Sequence, residues 1–335
     1  MDGSDHSRSG VVAPDSSDPE TDQALLRLLA PVALGAVQSA AVAAALWSGR
    51  GDGEAADGAA TSAMRAVLAQ GGPAGTVVTG EGEKDDAPML ASDEQLGGDG
   101  PAYDIAVDPL ECTSLCAAGL PGALTTIAMA ARGAMHFPGP AFYMDKLVVG
   151  SAARDVLDLE RGALANARWI AEALGVPISE LRVVVLDKPR HAELVRDLRA
   201  AGARVITPTA GDVAGALAAV LEDGIADALM GIGGTPEGIM TACAVRALGG
   251  GMQARMAPQL EDEAAPLAAA GVDVDAILEL DDIVSGPALF AAAGVTGGDL
   301  LPAPQPHPDG LLVHTLLVTS GEARRAATTV PLPRQ

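Results

Sequence analysis

From about residue 160 to residue 248 the chain alternates between short apolar runs and longer Ala-rich or amphipathic runs that stop at glycine. The spacing predicts a helix over 163–174 that ends at Gly175, a residue suited to the left-handed position closing a helix. LRVVVLDKPRH reads as a strand plus loop, AELVRDLRAAG as a helix with a glycine stop, and ARVITPT as a strand. GDVAGALAAVLEDG is a second such helix, ADALMGIGGTPEG a strand running into a glycine loop, and IMTACAVRALGG a third helix. This strand–helix alternation argues for a parallel sheet covered by helices. In such sheets ligands lie beyond the carboxyl ends of the strands. Lys188, Arg190, Asp212, Gly233, Gly234 and Glu237 therefore fall on one rim.

The first half of the chain carries acidic clusters at strand ends. In YDIAVDPLECT, residues 103–113, a short buried strand over Asp104 to Val107 is expected to stop at Pro109, which has no N–H for a ladder. Asp108 and Glu111 lie at and just after that end, and Thr113 adds a hydroxyl. Such a set suits a hard cation and a phosphate, because Mg²⁺ takes carboxylate and phosphate oxygens. A polar turn capped by its own Asp is the competing reading. Two further clusters weigh against it. Asp57 stands where a helix over 59–70 is expected to begin, and Glu81, Glu83, Asp85 and Asp86 follow a strand over Thr76 to Thr79.

Charge narrows the possible partners. A formal net charge of −23 argues against nucleic acid and against an anionic membrane. A phosphate ligand then needs local positive charge, which metal ions held by the carboxylates would supply. Lys188 and Arg190 after a buried strand can add to it, although a solvated turn would look the same. GIGGTPEG can cradle an anion at the following helix start, though on its own it is a weak signal. The histidines have no zinc spacing, and neither Cys112 nor Cys116 shows an activating context for a Cys–His nucleophile. Three cysteines give no disulfide framework and fit a reducing cytosol.

Aromatic residues make up 2% of a chain that is 49% hydrophobic, so the core must be built from many small side chains. The apolar stretch 31–47 is Ala-rich and broken by Gly35, Gln38 and Ser39, and reads as part of a buried helix over 21–47 rather than a membrane span. Residues 1–21 are expected to be a disordered tail with no apolar signal core. A metal-binding α+β domain is expected over 22–160 and an α/β sugar-phosphate domain over 161–322. Residues 249–275 read as a mobile excursion, 311–320 as a late strand, and 323–335 as a loose tail.

These segments resemble the class II (GlpX-type) fructose-1,6-bisphosphatases, of the lithium-sensitive sugar phosphatases. The resemblance is carried by ADGAA at 56–60, GEGEKDDAPML at 80–90, DIAVDPLECT at 104–113 and YMDKLVVG at 143–150. KPRH at 188–191, GDVA at 211–214, GIGGTPEG at 231–238 and GVTGGDLL at 294–301 continue it in collinear order. It implies a layered αβαβα fold of the α/β class, with a mixed sheet in the first half and a mostly parallel, helix-covered sheet in the second. It implies metal-dependent hydrolysis of the 1-phosphate of fructose 1,6-bisphosphate or a related sugar bisphosphate by a phosphoric monoester hydrolase. Mg²⁺ or Mn²⁺ would be the cofactor, with cytoplasmic location and a homo-oligomer expected.

By position, Asp57, Glu81, Asp108, Glu111 and Glu237 match the family's metal carboxylates. Glu111, Cys112, Thr113, Tyr143, Lys188, Pro189, Arg190, Asp212 and Gly234 match its substrate contacts. Thr113, with Asp85 and Glu83 nearby, matches the group that activates water. The chain departs from the family pattern at Cys112, where the family has Gly, at Gly53, where it usually has Lys, and at Ala210, where it has Asp. Retained carboxylates with altered sugar-side contacts fit a phosphatase of changed substrate preference; a catalytically weak homologue that binds sugar phosphate and regulates or scaffolds is the alternative.

Overall fold

The computed structural model describes residues 19–70, 72–80, 90–136, 142–259 and 261–332. Of the tail expected over residues 1–21, residues 1–18 lie outside these, as does the acidic segment holding Glu81, Glu83, Asp85 and Asp86, while residues 19–21 are already helical. In chain order the described elements are α1 (Pro19–Ala45), α2 (Gly53–Leu68), β1 (Ala74–Thr79), β2 (Gln95–Gly97), β3 (Ala102–Glu111), α3 (Thr113–Ala118), β4 (Leu124–Ala131) and β5 (Tyr143–Val149). There follow α4 (Gly162–Ala173), β6 (Arg182–Val184), α5 (Ala192–Ala200), β7 (Arg204–Ile206), α6 (Asp212–Val220), β8 (Ala228–Gly234), α7 (Thr235–Ala247) and β9 (Gly251–Met256). The chain ends with α8 (Glu261–Ala269), β10 (Leu278–Glu279), α9 (Leu280–Ile283), β11 (Ala288–Gly294), β12 (Gln305–His307), β13 (Gly310–Thr319) and β14 (Glu322–Val330).

Two mixed sheets result. One runs β12-β13-β11-β4-β3-β1-β2, with β14 on the far side of β13; the other runs β10-β9-β5-β8-β6-β7. Strand alternation sends neighbouring side chains to opposite faces, and the cores follow it. In β11, Ala288, Phe290 and Ala292 join a central core, whereas Leu289, Ala291 and Ala293 join an outer core with α1 and α2. In β5, Met144 and Val148 face the central core, and Leu147 and Val149 face a third core built on α4 and α5. The central core also takes Val213, Ala216 and Leu217 of α6 and Ile239, Met240 and Ala242 of α7. The layers are thus helix, sheet, helix, sheet, helix, as the resemblance implies. α1 is long and apolar enough to cross a membrane, but its Ala33, Ala36, Val37, Ala40, Ala41 and Ala44 are buried, in a stripe of helical period. Thr125 Oγ1 in β4 donates to the Val37 carbonyl of that helix at 2.9 Å.

Several expectations are corrected. The second sheet is not mostly parallel: β7, β6 and β8 run parallel, but β5 pairs antiparallel with both β8 and β9. Nor do the sheets divide the chain at residue 160, because β5 belongs to the second sheet while β11 to β14 return to the first. Residues 249–275 are no excursion but include β9, which lies beside β5, and α8. The expected loose tail is largely β14, paired along β13 from Leu311↔Val330 to Thr319↔Glu322. Asp57 does not start a helix. Asp52 caps α2, accepting from Ala55 N at 2.9 Å, and Asp57 lies inside that helix. Pro109 does not end β3, which runs on to Glu111.

Candidate active site

The course of β3 past Pro109 decides which way the acidic side chains face. Asp108 lies opposite Thr126 of β4, and Glu111 lies opposite Leu124, so three steps on β3 match two on β4. The extra residue is a β-bulge, a place where proline's missing N–H is tolerated. Asp108 Oδ1 accepts from Leu110 N at 3.0 Å across it. Before the bulge, Ile105 and Val107 face the outer core and Ala106 the central one. Alternation therefore turns Asp108 inward with Ala106. Unbroken alternation would send Glu111 outward; the extra residue leaves Leu110 in the outer core and turns Glu111 inward. There Glu111 Oε1 accepts from Val213 N at 3.3 Å, and Oε2 is buried with no hydrogen-bond partner among the described residues. Burial, with Asp212 and Glu237 close by, holds the Glu111 carboxyl well above the usual carboxylate range.

Cys112 follows in the left-handed region, at φ 64° and ψ 47°. The loop thus keeps a conformation that favours glycine, although a side chain is present. A Cβ placed on Gly211 would lie 3.4 Å from Cys112 Sγ, so the thiol packs beside the residue preceding Asp212. Burial and then Glu111, Asp108, Asp212 and Glu237 push the thiol far above its usual range, which disfavours the thiolate that a nucleophile needs. Thr113 opens α3, and its hydroxyl donates to the Leu110 carbonyl at 2.9 Å. The hydroxyl oxygen retains lone pairs able to accept from a water. Gly53, at the start of α2, is packed against it: a Cβ there would lie 3.1 Å from Thr113 Cγ2.

The opposite wall comes from the second sheet. The carboxyl ends of β6, β7 and β8 point one way and lead to Lys188, Asp212 and Glu237, as expected from sequence. Lys146, from the middle of β5, is 1% exposed and bonds the Asp212 carboxylate and, at 2.8 Å, the Gly234 carbonyl. Gly234 stands opposite Tyr143 in the β5–β8 ladder. The Arg190 guanidinium lies 5.2 Å from the Tyr143 ring centroid and donates to the Ile232 carbonyl from Nε at 3.2 Å and Nη2 at 2.9 Å. His191 braces the peptide before it, accepting from Ile232 N at 2.8 Å through Nε2. Its Nδ1 then donates to the Leu186 carbonyl at 2.8 Å. Gly231, at φ 117°, leaves the room that this ring needs.

The structure therefore couples Asp108, Glu111, Cys112, Asp212 and Glu237 electrostatically, with Lys146 paired to Asp212 and acting on Glu111, and it sets Tyr143 beside Arg190 and opposite Gly234. Lys188 is half-buried and Pro189 exposed on the same loop. Asp57 is buried in α2, which packs on β3 and α3. Among the described residues no three His, Cys, Asp or Glu side chains form a group that could hold an ion by themselves; Glu81, the ligand expected between Asp57 and Asp108, lies outside them. Lys146 and His191 carried no role in the sequence reading. A lone lysine inside the apolar run YMDKLVVG was the available signal for the first.

An αβαβα sandwich with a bulged acidic strand facing a glycine-rich helix start across its central layer is a fold of the sugar-phosphatase class. Within that class the chain belongs to the family described as bacterial fructose-1,6-bisphosphatase, glpX-encoded, whose family model matches residues 27–330. It is 42% identical over 279 residues to fructose-1,6-bisphosphatase 1 class 2 of Escherichia coli (strain K12), covering 79% of this chain and 83% of that protein. It has the same identity and coverage with fructose-1,6-bisphosphatase class 2 of Shigella flexneri.

Proposed function

We propose that this chain hydrolyses fructose 1,6-bisphosphate, removing the 1-phosphate with water as the nucleophile. The observation that carries the reading is the bulge at Pro109, which turns Asp108 and Glu111 to one face, opposite Asp212 and Glu237. Glu111 Oε2 is a buried oxygen without a hydrogen-bond partner among the described residues, in a net negative setting rich in carboxylates. That fits a hard divalent ion, Mg²⁺ or Mn²⁺. Asp108, Glu111 and Glu237, with Asp57 and Glu81, are the proposed ligands; no three of the described carboxylates lie close enough to share an ion as they stand, so Glu81 and a shift of side chains would complete the set. When bound, such an ion neutralises phosphate oxygens and lowers the pKa of a coordinated water.

The chain's own groups do the rest. Thr113 Oγ1, its proton directed to Leu110, accepts from the attacking water and aims it; Glu83 and Asp85 are the carboxylates proposed to take the water's proton. Arg190, braced on Ile232 and stacked on Tyr143, presents its remaining N–H groups to phosphate beside Lys188 and Pro189. Asp212 and the Gly234 backbone orient the sugar, and Cys112 forms part of that wall. Free buried thiols at Cys116 and Cys243 accord with a reducing, cytoplasmic setting.

The test is phosphate release from a panel of sugar phosphates. Turnover of fructose 1,6-bisphosphate should vanish with a chelator, return with Mg²⁺ or Mn²⁺, and be lost in Asp108→Asn. Full turnover in excess chelator would overturn the metal assignment. Tight binding of fructose 1,6-bisphosphate with no phosphate release would put a catalytically weak binding protein in place of the enzyme.

A further inference from the structure

Lys146 has no part in the reaction proposed above, yet its ammonium stands among the carboxylates. Burying an ammonium is costly unless it is paired and hydrogen-bonded. Lys146 is both, through the Asp212 carboxylate and the Gly234 carbonyl. These partners belong to the segments expected to hold the sugar. Asp212 is the first residue of α6, and the next residue, Val213, donates its N–H to Glu111. Gly234 is the last residue of β8 and leads into α7, which carries Glu237. One ammonium thus ties β5, α6 and the β8–α7 turn together and links them to the acidic strand.

The backbone around this tie has no slack. A Cβ on Gly233 would lie 2.0 Å from Asp212 Oδ2 and 3.0 Å from Lys146 Nζ, and one on Gly234 would lie 1.8 Å from Glu237 Oε2. Gly233 and Gly234 are therefore places where the Asp212 and Glu237 side chains lie directly against backbone. At 1% exposure Lys146 does not reach solvent-delivered phosphate. What it can do is fix the groups that do.

We propose that Lys146, anchored on the Gly234 carbonyl, is a positioning residue that fixes the Asp212 carboxylate for sugar phosphate, acting through Asp212 and not by touching substrate. This rests on the reading of Asp212 and Gly234 as substrate contacts. The test compares the parent, Lys146→Met, Asp212→Asn and the double variant, with kcat and KM for fructose 1,6-bisphosphate resolved separately. Lys146→Met should raise KM by about 10- to 100-fold, the range for a lost hydrogen bond to a charged group, with a smaller fall in kcat. The double variant should match Asp212→Asn in kcat/KM within about threefold, because a residue acting only through Asp212 has nothing left to lose. The double variant removes both charges together, so it leaves no unpaired buried charge and keeps the comparison available if Lys146→Met does not fold.

A double variant about tenfold or more below Asp212→Asn would show that Lys146 acts by a route other than Asp212, on substrate directly or through Gly234, a coupling of the size such cycles resolve. A lowered melting temperature with unchanged KM would show a structural strut only; either result overturns the proposal. A parent that binds fructose 1,6-bisphosphate but releases no phosphate overturns the hydrolase reading alone, and the calorimetric Kd then replaces KM in the same comparison. A parent that does not bind it overturns both.

Discussion

Replacing His191 by Phe keeps a ring of similar size in the same packed site and removes both of its hydrogen bonds. Ile232 N must donate, so Nε2 carries no proton and Nδ1 donates to the Leu186 carbonyl. His191→Phe leaves that N–H without a partner, at about 1–3 kcal/mol, and removes one of two donors to the Leu186 carbonyl, which keeps Lys188 N at 2.9 Å, at about 0.5–1.5 kcal/mol, so about 1.5–4.5 kcal/mol of stability should be lost at neutral pH. The pH dependence identifies the cause. Burial lowers the imidazole pKa, and nearby Arg190 and Lys188 add to this, against the Leu186 bond and Asp145, which raise it. The folded state thus takes up this proton less readily than the unfolded chain does. The His191 contribution is complete above the unfolded value of about 6.5 and is lost as pH falls through the lower folded value, with a slope of up to about 1.4 kcal/mol per pH unit. Urea unfolding of both proteins from about pH 8 to about pH 5 should show the gap between parent and variant closing on acidification. Asp104, whose carboxyl burial raises, titrates in both proteins and cancels in that difference, whereas Asp145, which interacts with the protonated His191 ring, contributes to it. A gap that stays constant with pH would refute the tautomer and the bonds assigned to it.

Other expectations follow from the site. Thr113→Ala should reduce kcat by about 10²- to 10⁴-fold, as for a lost proton-handling or water-aiming group, while Thr113→Ser retains part of it; equal turnover in Thr113→Ala and parent would leave the hydroxyl as a cap on Leu110 alone. Cys112→Gly relieves a left-handed conformation worth about 1–2 kcal/mol. It should also shift kcat/KM toward fructose 1,6-bisphosphate over other sugar bisphosphates by more than about tenfold, or about 1.4 kcal/mol; an unchanged ratio would move specificity to Gly53 and Ala210. Gly233→Ala sets a methyl against the Asp212 carboxylate, so it should raise KM well before it lowers the melting temperature, and a parent-like KM would show that the carboxylate moves freely.

The parallel strands β6, β7 and β8 were legible because glycine stops separate runs of clear period. The helix expected over 59–70 is α2, but its start at Gly53 was not legible, since GRGDGEAADG looks like one long loop; in fact Gly51, at φ 76°, and Asp52 turn and cap the chain within two residues. The strand β14 was missed because EARRAATTV has no apolar alternation and is exposed on both faces. Its signal was the turn: Ser320 and Gly321 both have positive φ, as a tight hairpin requires. The identity of the acidic residues was legible, and their direction was not. Glu111 faces inward only because β3 and β4 pair out of step, and pairing is a tertiary fact. Lys146 lay hidden for the same reason: its partner Asp212 is 66 residues away.

The return of the chain's last strands to the first sheet governs how the protein can be made. β4 leaves the ribosome early and finds β3 at once, but its other neighbour, β11, is synthesised only after the whole second sheet. Until then Leu124–Ala131, an uncharged strand, offers an open row of N–H and carbonyl groups. The stripe of α1 that packs on Leu289, Ala291 and Ala293 is uncovered over the same interval. A nascent chain halted short of residue 288 therefore carries a finished second sheet beside a sticky, unfinished first one, the kind of intermediate on which chaperones act.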